Sequence, residues 1–259
     1  METKVDEKVE TPSWVLNRHP GTKSEDWTRL PSGGWLHSEA TVGNGATVGN
    51  WATVGNWATV GNWATVGNWA TVGNWATVGN WATVGDEATV GNGATVGNWA
   101  TVGNWATVGD EATVGNGATV GNWATVGNWA TVGDEATVGN WATVGNWATV
   151  GNGATVGNGA TVGDEAKVGN GAKVGDEATF EQSPIAIQGT KHLACHSGPG
   201  MMTIGCRTHT IAHWETDIDR IGSNHGYSAE QIEEYRLYLN LVKTRDAAVF
   251  PKVIESAAS

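Results

Sequence analysis

Proline, cysteine and phenylalanine are scarce in these 259 residues, with 6, 2 and 2 copies. The two cysteines, Cys195 and Cys206, are too few for a disulfide scaffold. Acids outnumber bases 26 to 14, and the formal net charge is −12. An acidic chain is a poor phosphate-backbone binder, because that binding rests on Lys and Arg displacing counterions, so nucleic acid is not an expected partner. No run approaches the roughly 20 apolar residues of a membrane-spanning helix, and no membrane partner is expected. Met1 to Lys8 is charged and has no apolar core, so no secretory signal is expected and a cytoplasmic or virion-associated location is the default. Histidine is missing between His37 and His192. Glycine and tryptophan are abundant instead, with 38 and 16 copies. The glycine period is six and not three, which excludes collagen.

That period belongs to one phrase. Ala-Thr-Val-Gly-Asn-Trp recurs 23 times from Ala40 to Glu177 without an inserted residue. Its last two positions are sometimes Asn-Gly or Asp-Glu. Ala-Thr-Val alternates small, polar and aliphatic, the period-two signal of a half-buried strand. Gly-Asn is turn chemistry, and a positive φ is expected at that pair. A unit this short cannot bury a face alone, so units must stack. The pattern aliphatic, Gly, any, any, small, any resembles the hexapeptide-repeat family over residues 30–180. The resemblance implies an all-β solenoid, a triangular left-handed parallel β-helix with three hexads per coil. At roughly 4.8 Å per coil the shaft is on the order of 37 Å long.

The flanks divide the chain further. Residues 1–29 read as a polar tail and N-terminal cap, with residues 1–12 too charged to order themselves. Leu30–Trp35 and Leu36–Thr41 read as two imperfect hexads leading into the run. Residues 181–259 read as a mixed, mostly α-helical cap. There Ile185 and Ile187 suit a last strand, and Gly198-Pro199-Gly200 suits a turn. Ile204–His209 matches one hexad by pattern. Ile211, Trp214, Ile218 and Ile221 share a helix face, with Gly222 as the expected C-cap. Ser228 and Gln231 suit a capping box. The following helix, 229–245, carries Ile232, Tyr235, Leu239 and Val242 on one stripe. The two helices form a hairpin expected to cover the end of the β-helix.

Three features are candidates for function. The first is tryptophan at the fourth position, counting the valine as the first, of 12 hexads, with Gly in 6 and Glu in 5. Residues 18 apart lie above one another if three hexads make a coil. Trp51, Trp57, Trp63, Trp69, Trp75 and Trp81 then place an indole at every corner of two coils. They suit binding of a polysaccharide, ice or another protein, or simple stacking for stability. The second is the outward threonine columns, which permit a homotrimer through flat faces and distantly resemble ice-binding arrays. The third is a Cys/His cluster: His192, Cys195, His196, Cys206, His209 and His213. His192/His196 and His209/His213 are each four apart, which suits a structural Zn²⁺ as the one possible cofactor. A metal-free small core is the alternative.

Hexapeptide-repeat proteins are often acyltransferases, using a histidine near a subunit interface and loops inserted between coils. This repeat has neither, so such activity would have to recruit His37 or the C-terminal histidines. No catalytic residue is assigned from the sequence. The expectation is a non-catalytic rigid spacer or macromolecular interaction scaffold. Its alternatives are an ice- or carbohydrate-binding surface, a hexapeptide-type acyltransferase and an acidic DNA mimic.

Overall fold

A computed structural model describes residues 10–250. The expectations for residues 1–9 and 251–259 lie outside that range. The shaft is a left-handed parallel β-helix of about 8 turns. Its strands β3 to β26 are two-residue steps, from Thr41–Val42 to Thr179–Phe180, one in every hexad. Each pairs in register with the strand 18 residues on, as Thr89 does with Thr107 and Val90 with Val108. The three faces are two 8-stranded sheets and one 10-stranded sheet extended by β1 (Trp27–Arg29) and β2 (Trp35–His37). Inside, the column of Val and Ala is almost wholly buried from Val48 to Ala178. Full burial of each valine contributes about 1.5 kcal/mol or more. Outside, most of the threonines are exposed.

The corner differs from its expected form. Neither Gly nor Asn takes the positive φ; the fourth residue does. Trp lies at φ 55° to 64° in all 12 copies, and the five glutamates lie at 57° to 59°. The invariant glycine answers to a different constraint, close approach of the next coil. A Cβ on Gly43 would sit 2.6 Å from the Asn62 nitrogen and 2.7 Å from the Gly61 carbonyl carbon. The Asn or Asp side chain makes a ladder of its own. Asn62 Oδ1 accepts the Asn44 backbone N–H at 2.8 Å, and the pattern repeats down all three edges. This satisfies donors that the two-residue strands leave unpaired.

At the N-terminal end the Thr11 hydroxyl donates to Ser24 O at 2.8 Å. Helix α1 (Ser13–Arg18) buries Val15. Strands β1 (Trp27–Arg29) and β2 (Trp35–His37) form an antiparallel hairpin. Leu36 pairs with Val54 in the expected hexad register. Leu30–Trp35 is not a coil but the hairpin turn, with Gly33 at φ +88°.

The C-terminal unit holds more strand than its helical periodicity suggests. Strands β27 (Ala186–Gln188), β28 (Leu193–Gly198), β29 (Met201–Ile204) and β30 (Arg207–Thr210) form an antiparallel sheet. Gly200 makes the expected turn at φ +66°. Gly205 and Cys206 turn β29 into β30, so Ile204–His209 is a hairpin and not a hexad. Helices α2 (Ile211–Asn224) and α3 (Ala229–Val249) pack Ile211, Trp214 and Ile218 against Ile232, Tyr235, Leu239 and Val242. The Ser228–Gln231 capping box is present. Gly222 lies inside α2, where a Cβ would meet Ile232 Cγ1 at 2.7 Å. Strand β28, rather than the helices, closes the shaft: the Gly175 N–H donates to Ser197 O at 2.5 Å, and Lys173 N–H meets Cys195 Sγ at 3.4 Å. Among the described residues no helix is long and apolar enough to cross a membrane.

Candidate active site

The sheet and the two helices enclose a cavity of ≈ 140 Å³. That is about the size that holds a benzene-sized guest. Trp214, Ile218, Ile221, Ile232 and Tyr235 line its apolar walls. Trp214 is fixed because its Nε1–H donates to Met202 O at 2.8 Å. His192, Cys206, Arg207, His225 and Tyr227 bring polar groups to the same cavity.

A backbone carbonyl fixes the tautomer of His225, and a hydroxyl holds His192. Burial foremost, then Tyr235, pushes the Tyr227 pKa up to about 12, so its hydroxyl stays protonated. It shares a hydrogen bond with His192 Nδ1 at 2.5 Å. His225 Nδ1–H donates to Ile221 O at 2.8 Å, which leaves the lone pair on Nε2. That Nε2 faces Arg207 Nη2 at 3.4 Å. Lys191 Nζ donates to His225 O and Gly226 O at 2.9 and 2.7 Å, holding the end of α2 in place. Tyr235 Oη ties down the loop before β28, donating to His192 O at 2.6 Å. The arrangement sets a positioned base beside a guanidinium at an apolar cavity, the parts needed for proton abstraction and oxyanion stabilisation.

His225, Arg207 and Tyr227 were not singled out from the sequence. His225 has no His or Cys partner at helical spacing, and its role depends on a helix end that the sequence placed three residues early. The six Cys/His candidates do not converge. Cys195 is buried against the shaft end, while Cys206 is exposed. His196 Nε2 pairs with Asp246 Oδ1 at 3.0 Å. The His209 and His213 rings lie 4.5 Å apart, and His213 Nδ1 is 3.6 Å from Asp217 Oδ2. Among the described residues no group of three or more His, Cys, Asp or Glu is arranged to hold a metal ion. His37 is buried at the opposite end, edge-on to Trp27.

The tryptophan candidates stack. Trp51 on Trp69, Trp57 on Trp75 and Trp63 on Trp81 lie 5.2 to 5.5 Å apart and within 16° of parallel. Trp14 of α1 packs on the first pair, with centroids 5.9 Å from Trp51 and 6.1 Å from Trp69.

Residues 87–122 match the family described as bacterial transferase hexapeptide (six repeats). The shaft is a hexapeptide-repeat β-helix. Solved structures to which the chain is similar include the acetyltransferase domain of PglB from Neisseria gonorrhoeae. It is 20% identical, with 52% of this chain and 53% of that one covered and a TM-score of 0.31. Another is the UDP-N-acetylglucosamine O-acyltransferase of Moraxella catarrhalis, 14% identical over 83% of this chain and 94% of that one, with a TM-score of 0.37. The UDP-N-acetylglucosamine acyltransferase of Campylobacter jejuni is 18% identical over 82% and 88%, with a TM-score of 0.36. No curated protein matches the sequence. The match of the hexapeptide repeat to a transferase family overturns the expectation of a non-catalytic spacer or interaction scaffold.

Proposed function

We propose that this chain is a hexapeptide-type acyltransferase that moves a short acyl group from a thioester to a hydroxyl or amine. The observation that carries this reading is the transferase-family match at residues 87–122. The C-terminal cavity supports it with a working chemistry. Its apolar walls suit a short acyl chain, and its volume of ≈ 140 Å³ excludes a long one. His225 Nε2 takes the proton of the acceptor as its oxygen or nitrogen attacks the thioester carbonyl. The Arg207 guanidinium stabilises the oxyanion. On collapse the C–S bond breaks, and the imidazolium returns the proton to the thiolate. Self-association into a homotrimer through the flat threonine faces belongs to the same proposal.

The test is thiol release from acetyl-CoA in the presence of amine and sugar acceptors, with mass spectrometry of the acylated product. We expect acceptor-dependent release that His225→Gln lowers ~100-fold or more, the usual loss on removing a general base. No acylated product from the wild-type protein, across acetyl to butyryl donors, would overturn the reading. Undiminished activity in His225→Gln would move the base elsewhere.

A further inference from the structure

The three edges of the shaft share a sequence step that the acyltransferase reading does not use. Reading each edge in steps of 18 residues, tryptophan is followed by glycine in three places: Trp75 to Gly93, Trp99 to Gly117 and Trp141 to Gly159. Each edge has one. In all three the next corner is glutamate: Glu111, Glu135 and Glu177. The glycine omits one tread of an aromatic stack. Successive indoles elsewhere lie 4.8 to 5.5 Å apart, so a missing tread leaves a slot one planar group thick.

Exposure shows the open face. Trp75, Trp99 and Trp141 are 64%, 65% and 64% exposed, the highest of the shaft indoles. Each is covered on its other face by a near-parallel ring, Trp57, Trp81 or Trp123. The glutamate lies over the glycine from the far side. The Glu111 carboxylate reaches over Gly93, and Cγ of Glu135 and of Glu177 lie 3.7 and 3.6 Å from a Cβ built on Gly117 and Gly159. None of the three carboxylates makes an ion pair among the described residues. Each slot therefore has an indole face on one side and a glutamate without an ion-pair partner on the other, with the carboxylate itself over Gly93 and the side-chain methylene over Gly117 and Gly159.

The chain makes a comparable pairing itself. The Arg18 guanidinium lies 5.0 Å over the Trp14 ring, which packs on Trp69. Glu87 is the next corner along that edge and attracts Arg18, against the opposing effect of its burial. A guanidinium suits such a slot better than an ammonium ion. It is planar, weakly hydrated, stacks on indole and bonds a carboxylate through two parallel N–H groups.

We propose that the Trp75–Glu111, Trp99–Glu135 and Trp141–Glu177 slots are three guanidinium-binding sites, each a cation held between an indole face and a carboxylate across a glycine step. The ligand is a free guanidinium compound or an arginine side chain of a bound peptide. The sites are independent of acyl transfer.

The test is a titration of the full chain with N-methylguanidinium, methylammonium and tri-arginine, followed by the indole N–H resonances. Trp75→Phe, Trp99→Phe and Trp141→Phe identify three of these. We expect saturable shifts confined to those three, with methylammonium weaker by ~5-fold or more. Tri-arginine binding ~10-fold tighter than methylguanidinium assigns the sites to peptide arginine; comparable affinities assign them to free guanidinium compounds. The slot-filling triple variant Gly93→Trp, Gly117→Trp and Gly159→Trp should abolish the shifts. Its fold is secure because tryptophan already occupies this φ at 12 corners. The triple variant Glu111→Gln, Glu135→Gln and Glu177→Gln should weaken binding and leave the stacks intact. No saturable shift with any probe, or equal shifts in the slot-filled variant, would overturn the proposal.

Discussion

Tryptophan at a left-handed backbone position sets the local energetics of the corner. An L-residue there costs about 1–2 kcal/mol relative to its normal conformation, and glycine escapes the cost. The indoles offset it by stacking, at about 0.5–1.5 kcal/mol for each pair. Trp123 stacks on Trp105 at 4.8 Å and Trp141 at 5.0 Å. Trp123→Gly loses both contacts and should destabilise the shaft in spite of its relieved backbone. Glu165 sits at φ 59° with no ring of its own to stack. Glu165→Gly should therefore stabilise by ~0.5–1 kcal/mol. Chemical denaturation of the two variants checks the opposite signs. Both variants lowering stability equally would mean that the φ value costs little here.

At the scale of elements, the N-terminal cap docks through a buried histidine at the end of α1. His19 Nε2 lies 3.0 Å from Thr53 Oγ1, and Nδ1 lies 3.2 Å from Asn74 Oδ1. Burial foremost lowers its pKa to about 4, although the Asn74 bond opposes the shift. The unfolded chain binds this proton near pH 6.5, so stability is complete above that value and falls as the pH drops towards about 4. His19→Gln should flatten the fall in melting temperature between pH 6.5 and 4. A wild-type melting temperature that stays level across that window would contradict the shift. At the other end Asp246 of α3 accepts from His196 Nε2 at 3.0 Å and from the Gly200 N–H at 2.6 Å. Asp246→Ala leaves both donors without a partner and should destabilise the C-terminal unit by ~2 kcal/mol or more. Hydrogen exchange confined to β28–β30 and α3 checks it. Much of this scale was legible in the sequence. The capping box, the Ile232–Val242 stripe and the valine column follow from periodicity alone. The four-stranded sheet was not legible, because β28, Leu193–Gly198, carries no alternation: Ala194 to Gly198 are buried in sequence. The site was legible only as a region, since His225 gains its role from the carbonyl of Ile221 and from a β-hairpin that brings Arg207 beside it.

For the whole molecule, the coil of 18 residues is the unit of conservation of form. Apart from one turn bond inside each corner, such as Ala106 N to Gly103 O at 3.3 Å, the backbone and Asn-ladder bonds of the shaft join neighbouring coils, as in Thr107 N to Ala124 O at 2.9 Å and Asp110 N to Asn128 Oδ1 at 2.9 Å. Stability is then close to a sum of coil and interface contributions, with the two caps fixing the ends. The corner columns carry information that the core does not, because each edge holds its own order of Trp, Gly and Glu. Deleting residues 100–117 removes one coil and keeps every valine, glycine and asparagine in register. The shortened chain should fold cooperatively, lose about 5 Å of length by small-angle scattering, and keep its C-terminal cavity. Deleting only residues 100–105 also keeps the hexad phase inside the core. It turns the C-terminal unit by one face relative to the N-terminal cap and moves every later corner to the next edge. Trp99 then precedes Trp123 instead of Gly117, so the Trp99–Glu135 slot closes while Trp141–Glu177 survives. A shaft held by its core alone tolerates both deletions with similar melting temperatures. Unfolding of the 18-residue deletion would contradict the additive description.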